Sequence, residues 1–522
     1  MYLSLQEQPI KKVHLGKARF TLDLSDGSER GEYVSQDYIL SKLGRPHRGI
    51  NLMFCYYPLD KSWPKRARNA FSDQVIEYQW DYPYDDYFPY MGGLNGSRTE
   101  EPFQMMRDVR RHGQEVILTM TMDPNISDEH LRAIGEDLKT FGRMQLRINH
   151  EATGTWFSFT KRAETQKIAD FFCHASKIIK EIAPQIDIII CIGGIEDPEP
   201  YRGIPLCDSE SPMVMEDIFK ETVRCADIWS VDKYMALHWG WPCDIADETT
   251  NQYKRCNVAR NYELTHLSYE RFKLLNGGSE KPMVMSEFNA DGDVVGPYDQ
   301  IAMIKEFFTL REQDKEDWLT AITFYQFRDR GRLGLEIEDP SNPSVGIEQP
   351  ILKEYKKLLN SPLCLPEISE TNVVEEDDKT APLSLRWGSS EDATGTQVTV
   401  TLTKTPLFLE LYFDEPGAKD NLMIQCNERW FYKAPDVNFV DLMPLFFDYS
   451  DSGSMEGSEQ RTLTLTFFAP PESGENIEDG HADWMSNYYK TLPSLPKLRV
   501  EYEPVLPVTT GKEDGLNILG AV

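Results

Sequence analysis

From Gly49 onward, short apolar runs alternate with helix-periodic stretches over roughly 250 to 300 residues, and few folds accept that pattern. The runs are GINLMFCYYP, EVILTMTM, QLRINHE, IDIIICIGG, IWSVDKY, PMVMSEF and WLTAITFYQF. Most are near-continuously apolar, as strands covered on both faces are. Helical periodicity fills the intervals at 102–112, after Ser127, at about 165–182, near 213–225, near 269–275 and at 299–311. Asp128 and Glu129 follow Ser127 as a helix entry, and Gly142 lies beyond the end of that helix. The fold class predicted is α/β, a (β/α)8 barrel over 46–360. Counting back from the last strand at Leu319 makes PMVMSEF strand seven and QLRINHE strand four. Strand one is then expected at 50–55 and strand two between 75 and 82.

The flanks read differently. Residues 1–45 form a polar lead-in with one short β-like piece at 18–24. After a helix at 351–359, residues 361–381 are rich in Pro, Glu, Asp and Thr and read as a linker. Beyond it, QVTVTLTKTPLFLELYF, RTLTLTFFAP and LPKLRVEYEP alternate with period two. That pattern predicts an appended antiparallel β-sandwich over 382–522, ending in a loose tail.

Charge narrows the partners. With 85 acidic against 55 basic residues the formal charge is −30, which repels nucleic acid and anionic membranes. No apolar run approaches the ~20 residues of a membrane span. The start, MYLSLQEQPIKK, lacks the basic and apolar parts of a signal peptide. Nine cysteines without a CxxC pair point to free, mostly buried thiols in a reducing compartment. A cytoplasmic location is expected, or a secreted one if a leader has been removed. Oligomeric state is left open.

Two strand ends carry carboxylates. QLRINHEATGTWFSF, residues 145–159, delivers Glu151 to the end of strand four, and PMVMSEFN, residues 282–289, delivers Glu287 to the end of strand seven. In a barrel such ends converge on one mouth. Cleaving a glycosidic bond needs two facing carboxyl groups, one to protonate the leaving oxygen and one to attack or to activate water. The same residues also read as ordinary rim glutamates in so acidic a chain. Arg147, Asn149 and Glu151 share a strand face by period two, so Arg147 and Asn149 are expected to line the barrel beneath the acid and to bind substrate. Trp156, Phe157 and Phe159 follow, either as platforms for a sugar ring or as a helix-capping aromatic cluster.

The motif H-E-x-x-G-x-W-F-x-F at 150–159 resembles the acid/base motif of the glycoside hydrolase family 26 β-mannanases. That family belongs to clan A, whose members are retaining enzymes with catalytic glutamates on strands four and seven. The resemblance spans about residues 100–330 and is tight over some ten residues around Glu151. It implies that Glu151 is the general acid/base and Glu287 the nucleophile. By the same resemblance His150 contacts the sugar near the cleavage point, and Tyr234, in Asp232-x-Tyr234, hydrogen-bonds the nucleophile. The chain departs from the family at Ala152 and Thr153, where Met-Asn is usual, at Asn289, where Gly is common, and at Phe159, where Trp is usual. The expected reaction is double displacement on a β-mannosidic or related oligo- or polysaccharide. An exo-acting clan A glycosidase of other specificity and a non-catalytic carbohydrate-binding barrel are the alternatives.

Further candidates line the mouth. His238, Trp239 and Trp241 follow strand six, either as a substrate loop or as loop anchors. Tyr325, Gln326 and Arg328 end strand eight, with Arg328 either facing substrate or paired with Asp329 or Glu336. Trp80 and the tyrosines from Tyr82 to Tyr90 form either a distal subsite wall or a packed loop. Asp123-x-Asn125-x-Ser127 echoes the start of a calcium loop, but no glycine or terminal glutamate follows at the required spacing. Nucleotide, zinc-protease and serine-hydrolase motifs are absent from the sequence, so no metal or cofactor is expected.

Overall fold

The computed structural model describes residues 2–27, 32–61, 63–65, 67, 87–198, 205–236, 257–371, 382–385, 393–415, 417–446, 461–471, 484, 490–492 and 494–502. Eight parallel strands close into a barrel in chain order. They are Thr21–Ser25, Gly49–Tyr56, Glu115–Met122, Met144–Ile148, Ile186–Cys191, Ile228–Ser230, Met283–Phe288 and Leu319–Phe324. Closure pairs Ala321 with Thr21 and Phe324 with Leu24. Helices such as Asp128–Leu138, Thr165–Ile182 and Pro297–Gln313 cover the outside.

The expected barrel and its fourth and seventh strands hold, but the first two strands sit one element earlier than the count placed them. Strand one is Thr21–Ser25, inside the supposed lead-in, and strand two is Gly49–Tyr56. The interval 75–82 lies outside the described residues. Strand one overlaps the β-like piece expected at 18–24, which does not read as a barrel strand because Asp23 sits in its middle. That carboxylate is 1% exposed and is matched by the Arg48 guanidinium and the Gly49 N–H, so the strand tolerates a charge its pattern argues against. Val258–Leu275 also begins well before the stretch expected to be helical. Asn261, Thr265 and Ser268 lie in its buried stripe and hide the apolar periodicity.

Inside the barrel, side chains stack in two kinds of layer. Ile117, Ile189, Ile228, Val284 and Ala321, from five strands, pack together as an apolar floor. Above them runs a polar chain. Asn51 donates to Ser25 Oγ at 2.8 Å, Thr119 donates to Asn51 Oδ1 at 2.8 Å, and Arg147 Nε donates to Thr119 Oγ1 at 2.7 Å. Buried polar groups persist only when satisfied in this way, so the chain holds its members in one arrangement.

The C-terminal period-two runs form antiparallel sheets, and the N-terminus joins them. One sheet has the order Ile368–Thr371, Ile10–Leu15, Ala393–Leu402, Arg461–Phe468, Leu422–Cys426, Arg429–Lys433. The other has the order Tyr2–Ser4, Lys497–Glu501, Phe408–Tyr412, Phe439–Asp441. Inward residues of both, among them Val398, Leu409, Leu465 and Leu498, share one apolar cluster. Two expectations change accordingly. The first fifteen residues supply a strand to each sheet, and Ile368–Thr371, within the supposed linker, pairs with Ile10–Leu15. Backbone contacts tie the sheets to the barrel, with Trp430 N–H donating to Gly44 O at 2.7 Å.

The cysteine expectation holds only in part. Cys55, Cys191, Cys364 and Cys426 are buried thiols outside any disulfide, but Cys173 and Cys225 are joined in a disulfide between the helices Thr165–Ile182 and Glu216–Cys225. No described helix is long and apolar enough to cross a membrane.

Candidate active site

The fourth strand stops at Ile148 because its end is clamped. Asn149 adopts left-handed backbone, φ 47°, which asparagine tolerates better than most residues. Its amide accepts from Met122 N–H at 2.6 Å and donates to Met122 O at 3.2 Å, binding this strand end to that of strand three. Glu151 follows, also left-handed at φ 51°. A glutamate gains nothing locally from that conformation, so the surrounding structure imposes it. Gly154 closes the turn onto Glu151 O. A Cβ at Gly154 would lie 2.4 Å from the Trp156 ring, so only glycine lets that indole fold back. The indole Nε1–H donates to Glu151 Oε2 at 2.7 Å.

Glu287 arrives on regular strand, 6% exposed. Arg147 NH2 donates to its Oε1 at 2.9 Å and Tyr234 Oη–H to its Oε2 at 3.0 Å. His150 Nε2 lies 3.3 Å from Oε1 and 3.0 Å from the Tyr87 hydroxyl. Asp232 accepts from the Glu287 backbone N–H at 2.9 Å, from Ser286 Oγ at 2.9 Å and from the Cys191 thiol at 3.1 Å. Its carboxylate also stands 3.6 Å from Arg147 NH1. One oxygen each of Glu151, Asp232 and Glu287 lies within 4.8 Å of the others.

Three carboxyl groups and one guanidinium in so small a space cannot all carry full charge cheaply. Burial, then the negative charges of Glu287 and Asp232, push the Glu151 carboxyl well above the usual carboxylate range. Arg147, although buried, is held protonated by Glu287 and Asp232. Burial and the adjacent Arg147 charge push His150 well below the usual imidazole range, so it is neutral. Burial and then Glu287 raise the Tyr234 phenol, which remains a donor. The arrangement therefore sets one carboxylate, held by a guanidinium and a phenol, against a carboxyl group whose surroundings favour keeping its proton.

Several residues expected to meet substrate are instead buried beneath these two groups. Arg147 and His150 are 0% exposed and Asn149 is 1% exposed. His150 is sealed between the Tyr87 ring, stacked at 5.8 Å, and Phe157 at 4.4 Å. Phe157 in turn stacks on Phe159 at 6.0 Å, so the aromatic run after Glu151 is mostly packed support. Trp156 remains partly buried at the acid. Arg328 makes a two-pronged pair with Glu336, at 3.1 and 2.8 Å, which accounts for its charge. Gln326 is buried with Oε1 lacking a partner among the described residues, and Tyr325 is partly buried, edge-on to Tyr234 at 6.1 Å. His238, Trp239 and Trp241 lie outside the described residues, as do Trp80, Tyr82 and Tyr84. Asp123 caps a turn through the Asn125 N–H and pairs with Arg162, in keeping with a helix entry.

The sequence reading did not weigh Asp232 as a site group or Tyr87 as the partner of His150. For Asp232 a signal existed, since it stands two residues before Tyr234 at the end of an apolar strand. For Tyr87 there was none, because its pairing crosses 63 positions of chain.

No family model and no curated protein matches this chain. Among solved structures it is similar to a family 26 β-mannanase from Bacteroides ovatus, at 10% identity and a TM-score of 0.37, over 66% of this chain and 89% of that one. It is also similar to a family 39 glycoside hydrolase from Bacteroides cellulosilyticus, at 10% identity and a TM-score of 0.39, over 88% and 81%. A third is an α-L-arabinofuranosidase from Thermotoga maritima, at 10% identity and a TM-score of 0.37, over 95% and 98%. Likeness at this level says nothing about substrate, and the functional reading rests on the site itself.

Proposed function

We propose that the protein is a retaining β-glycoside hydrolase acting by double displacement. The observation that carries this reading is the pair of carboxyl groups at the barrel mouth, Glu151 and Glu287, with oxygens within 4.8 Å of each other and opposite electrostatic surroundings. Retaining enzymes hold their carboxyl groups about 5–5.5 Å apart, whereas inverting enzymes leave about 6.5–9.5 Å for a water. Oxygens this close are compatible with direct attack by one carboxylate.

Glu287, ionised and aimed by Arg147 and Tyr234, attacks the anomeric carbon. Glu151 protonates the departing glycosidic oxygen. Once Glu287 is esterified its negative charge is gone, and with it the second-largest cause of the raised Glu151 pKa. Glu151, deprotonated by the first step, then accepts a proton from the incoming water, and the hydroxide it releases displaces Glu287. Trp156 holds the Glu151 carboxyl in place through both steps.

For the sugar we propose a β-mannoside or mannan-like glycan, on the resemblance of residues 150–159 alone. Two experiments test the reading. A 2-deoxy-2-fluoro-β-mannoside with a good leaving group is expected to inactivate the enzyme and to leave its label on Glu287 in the peptide digest. Proton NMR of the first product is expected to show the β-anomer; an α-anomer would remove double displacement from consideration.

A further inference from the structure

We propose that the outward face of the four-stranded C-terminal sheet is a second glycan-binding site, remote from the barrel mouth, with Phe439, Tyr412 and Tyr2 as its platform. The choice of a glycan as occupant rests on the hydrolase reading.

Burial along these strands alternates. Leu409, Leu411, Val440, Leu498 and Val500 point into the apolar cluster. Their neighbours point outward, where a one-sided antiparallel sheet ordinarily presents polar residues to water. Here Phe439 is 50% and Tyr2 57% exposed, and Tyr412 is partly exposed. Register brings the rings together. Tyr412 stands directly opposite Phe439, and the Tyr2 ring meets it edge-on at 6.2 Å from the far strand. Three strand spacings separate the outer strands, about 14 Å, long enough for several sugar rings.

Polar groups beside the rings are fixed rather than free to swing. Arg499 donates to Glu410 Oε1 at 3.2 Å and to Glu501 Oε1 at 3.1 and 2.8 Å, and lies over the Phe408 ring at 4.6 Å. Flat rings meet the C–H face of a pyranose, and anchored carboxylates and guanidinium meet its hydroxyls. The core of a protein interface is depleted of Lys, Glu and Asp. On the outward positions of these strands Glu410, Asp441, Lys497 and Glu501 stand among the rings. That composition suits a polyhydroxylated ligand better than a second protein.

The test uses the full chain carrying Glu287→Gln, which halts turnover, in native gels cast with galactomannan, glucomannan or xylan. Retardation by at least one polymer is expected. Adding Tyr412→Ala and Phe439→Ala is expected to weaken it at least tenfold, while Tyr412→Trp retains it and controls for folding. In the chain with Glu287 intact, the two alanine substitutions are expected to leave hydrolysis of a short aryl glycoside within twofold. Unaltered mobility in all three gels overturns the proposal. So does a retardation the alanine substitutions leave untouched, or a concentration-dependent dimer that the same substitutions disperse. Retardation without any glycoside turnover by the unsubstituted chain would uphold this site and sink the hydrolase reading, so the two fail separately.

Discussion

Glu287 lies within a regular strand, whereas Glu151 stands on left-handed backbone three residues past the end of one. Their surroundings differ as much as their backbones. Glu287 has a guanidinium, a phenol and an imidazole on its carboxylate, and its own N–H is held by Asp232. Glu151 has the Trp156 indole and two negative neighbours. Neighbouring positive charge and donors make ionisation cheap, while burial beside negative charge makes it costly. Identical side chains thus meet opposite surroundings, one favouring the carboxylate and the other the protonated acid, and the difference is made by what the other strands bring to each.

Removing Glu287 is expected to do most harm. Glu287→Gln should lower kcat by roughly 10⁴-fold or more on any glycoside, with normal folding by circular dichroism. Glu151→Ala breaks the other side and should be selective. A loss of roughly 10²- to 10⁴-fold is expected with a poor leaving group and much less with a dinitrophenyl one. Added azide should accelerate the dinitrophenyl reaction and yield a β-glycosyl azide. Equal losses for both leaving groups would deny Glu151 the role of acid.

Tyr234→Phe sharpens the comparison by taking one donor from Glu287. A hydrogen bond to a charged group is worth about 1.5–3 kcal/mol, so a loss of roughly 10- to 100-fold in kcat/KM is expected. The smallest effect is on pH dependence. Glu151 works protonated, so activity falls as pH rises through its raised pKa. Trp156 bonds preferentially to the ionised form, so Trp156→Phe should move that alkaline limb upward by about one unit. A limb unmoved by Trp156→Phe would assign it to another group.

Stability gives an independent measure of the same asymmetry. A carboxyl whose folded-state pKa is raised contributes stability that is full below its unfolded value, near 4.3, and lost as pH rises through the folded value. Glu151→Gln is therefore expected to be more resistant to denaturant than the unsubstituted chain at pH 8, and to lose that advantage near pH 4.

What could be read without the fold was whatever is written in consecutive residues. Apolar runs marked seven barrel strands, and two of them ended on the glutamates that the structure brings together. Where a strand broke its own pattern the reading slipped. Asp23 kept the β-like piece at 18–24 from reading as a barrel strand, because its compensating charge, Arg48, is 25 positions away. Arg147, Asn149, His150 and Phe157 were recognised as part of the site and assigned to substrate. Whether a polar side chain faces a ligand or supports a carboxylate depends on which neighbouring strand lies beside it, and strand order is not a local property.

By itself, then, the sequence determined the alternation of strand and helix, the positions of Glu151 and Glu287, and the antiparallel character of the C-terminal third. Closure of the barrel decided the rest. It joined Ser25, Asn51, Thr119 and Arg147 into one buried chain ending on Glu287, and set Asp232 beside both glutamates. Those contacts link strands one, two, three, four, six and seven. Periodicity tells which face of a strand a residue occupies, but only the packed barrel tells what that face meets.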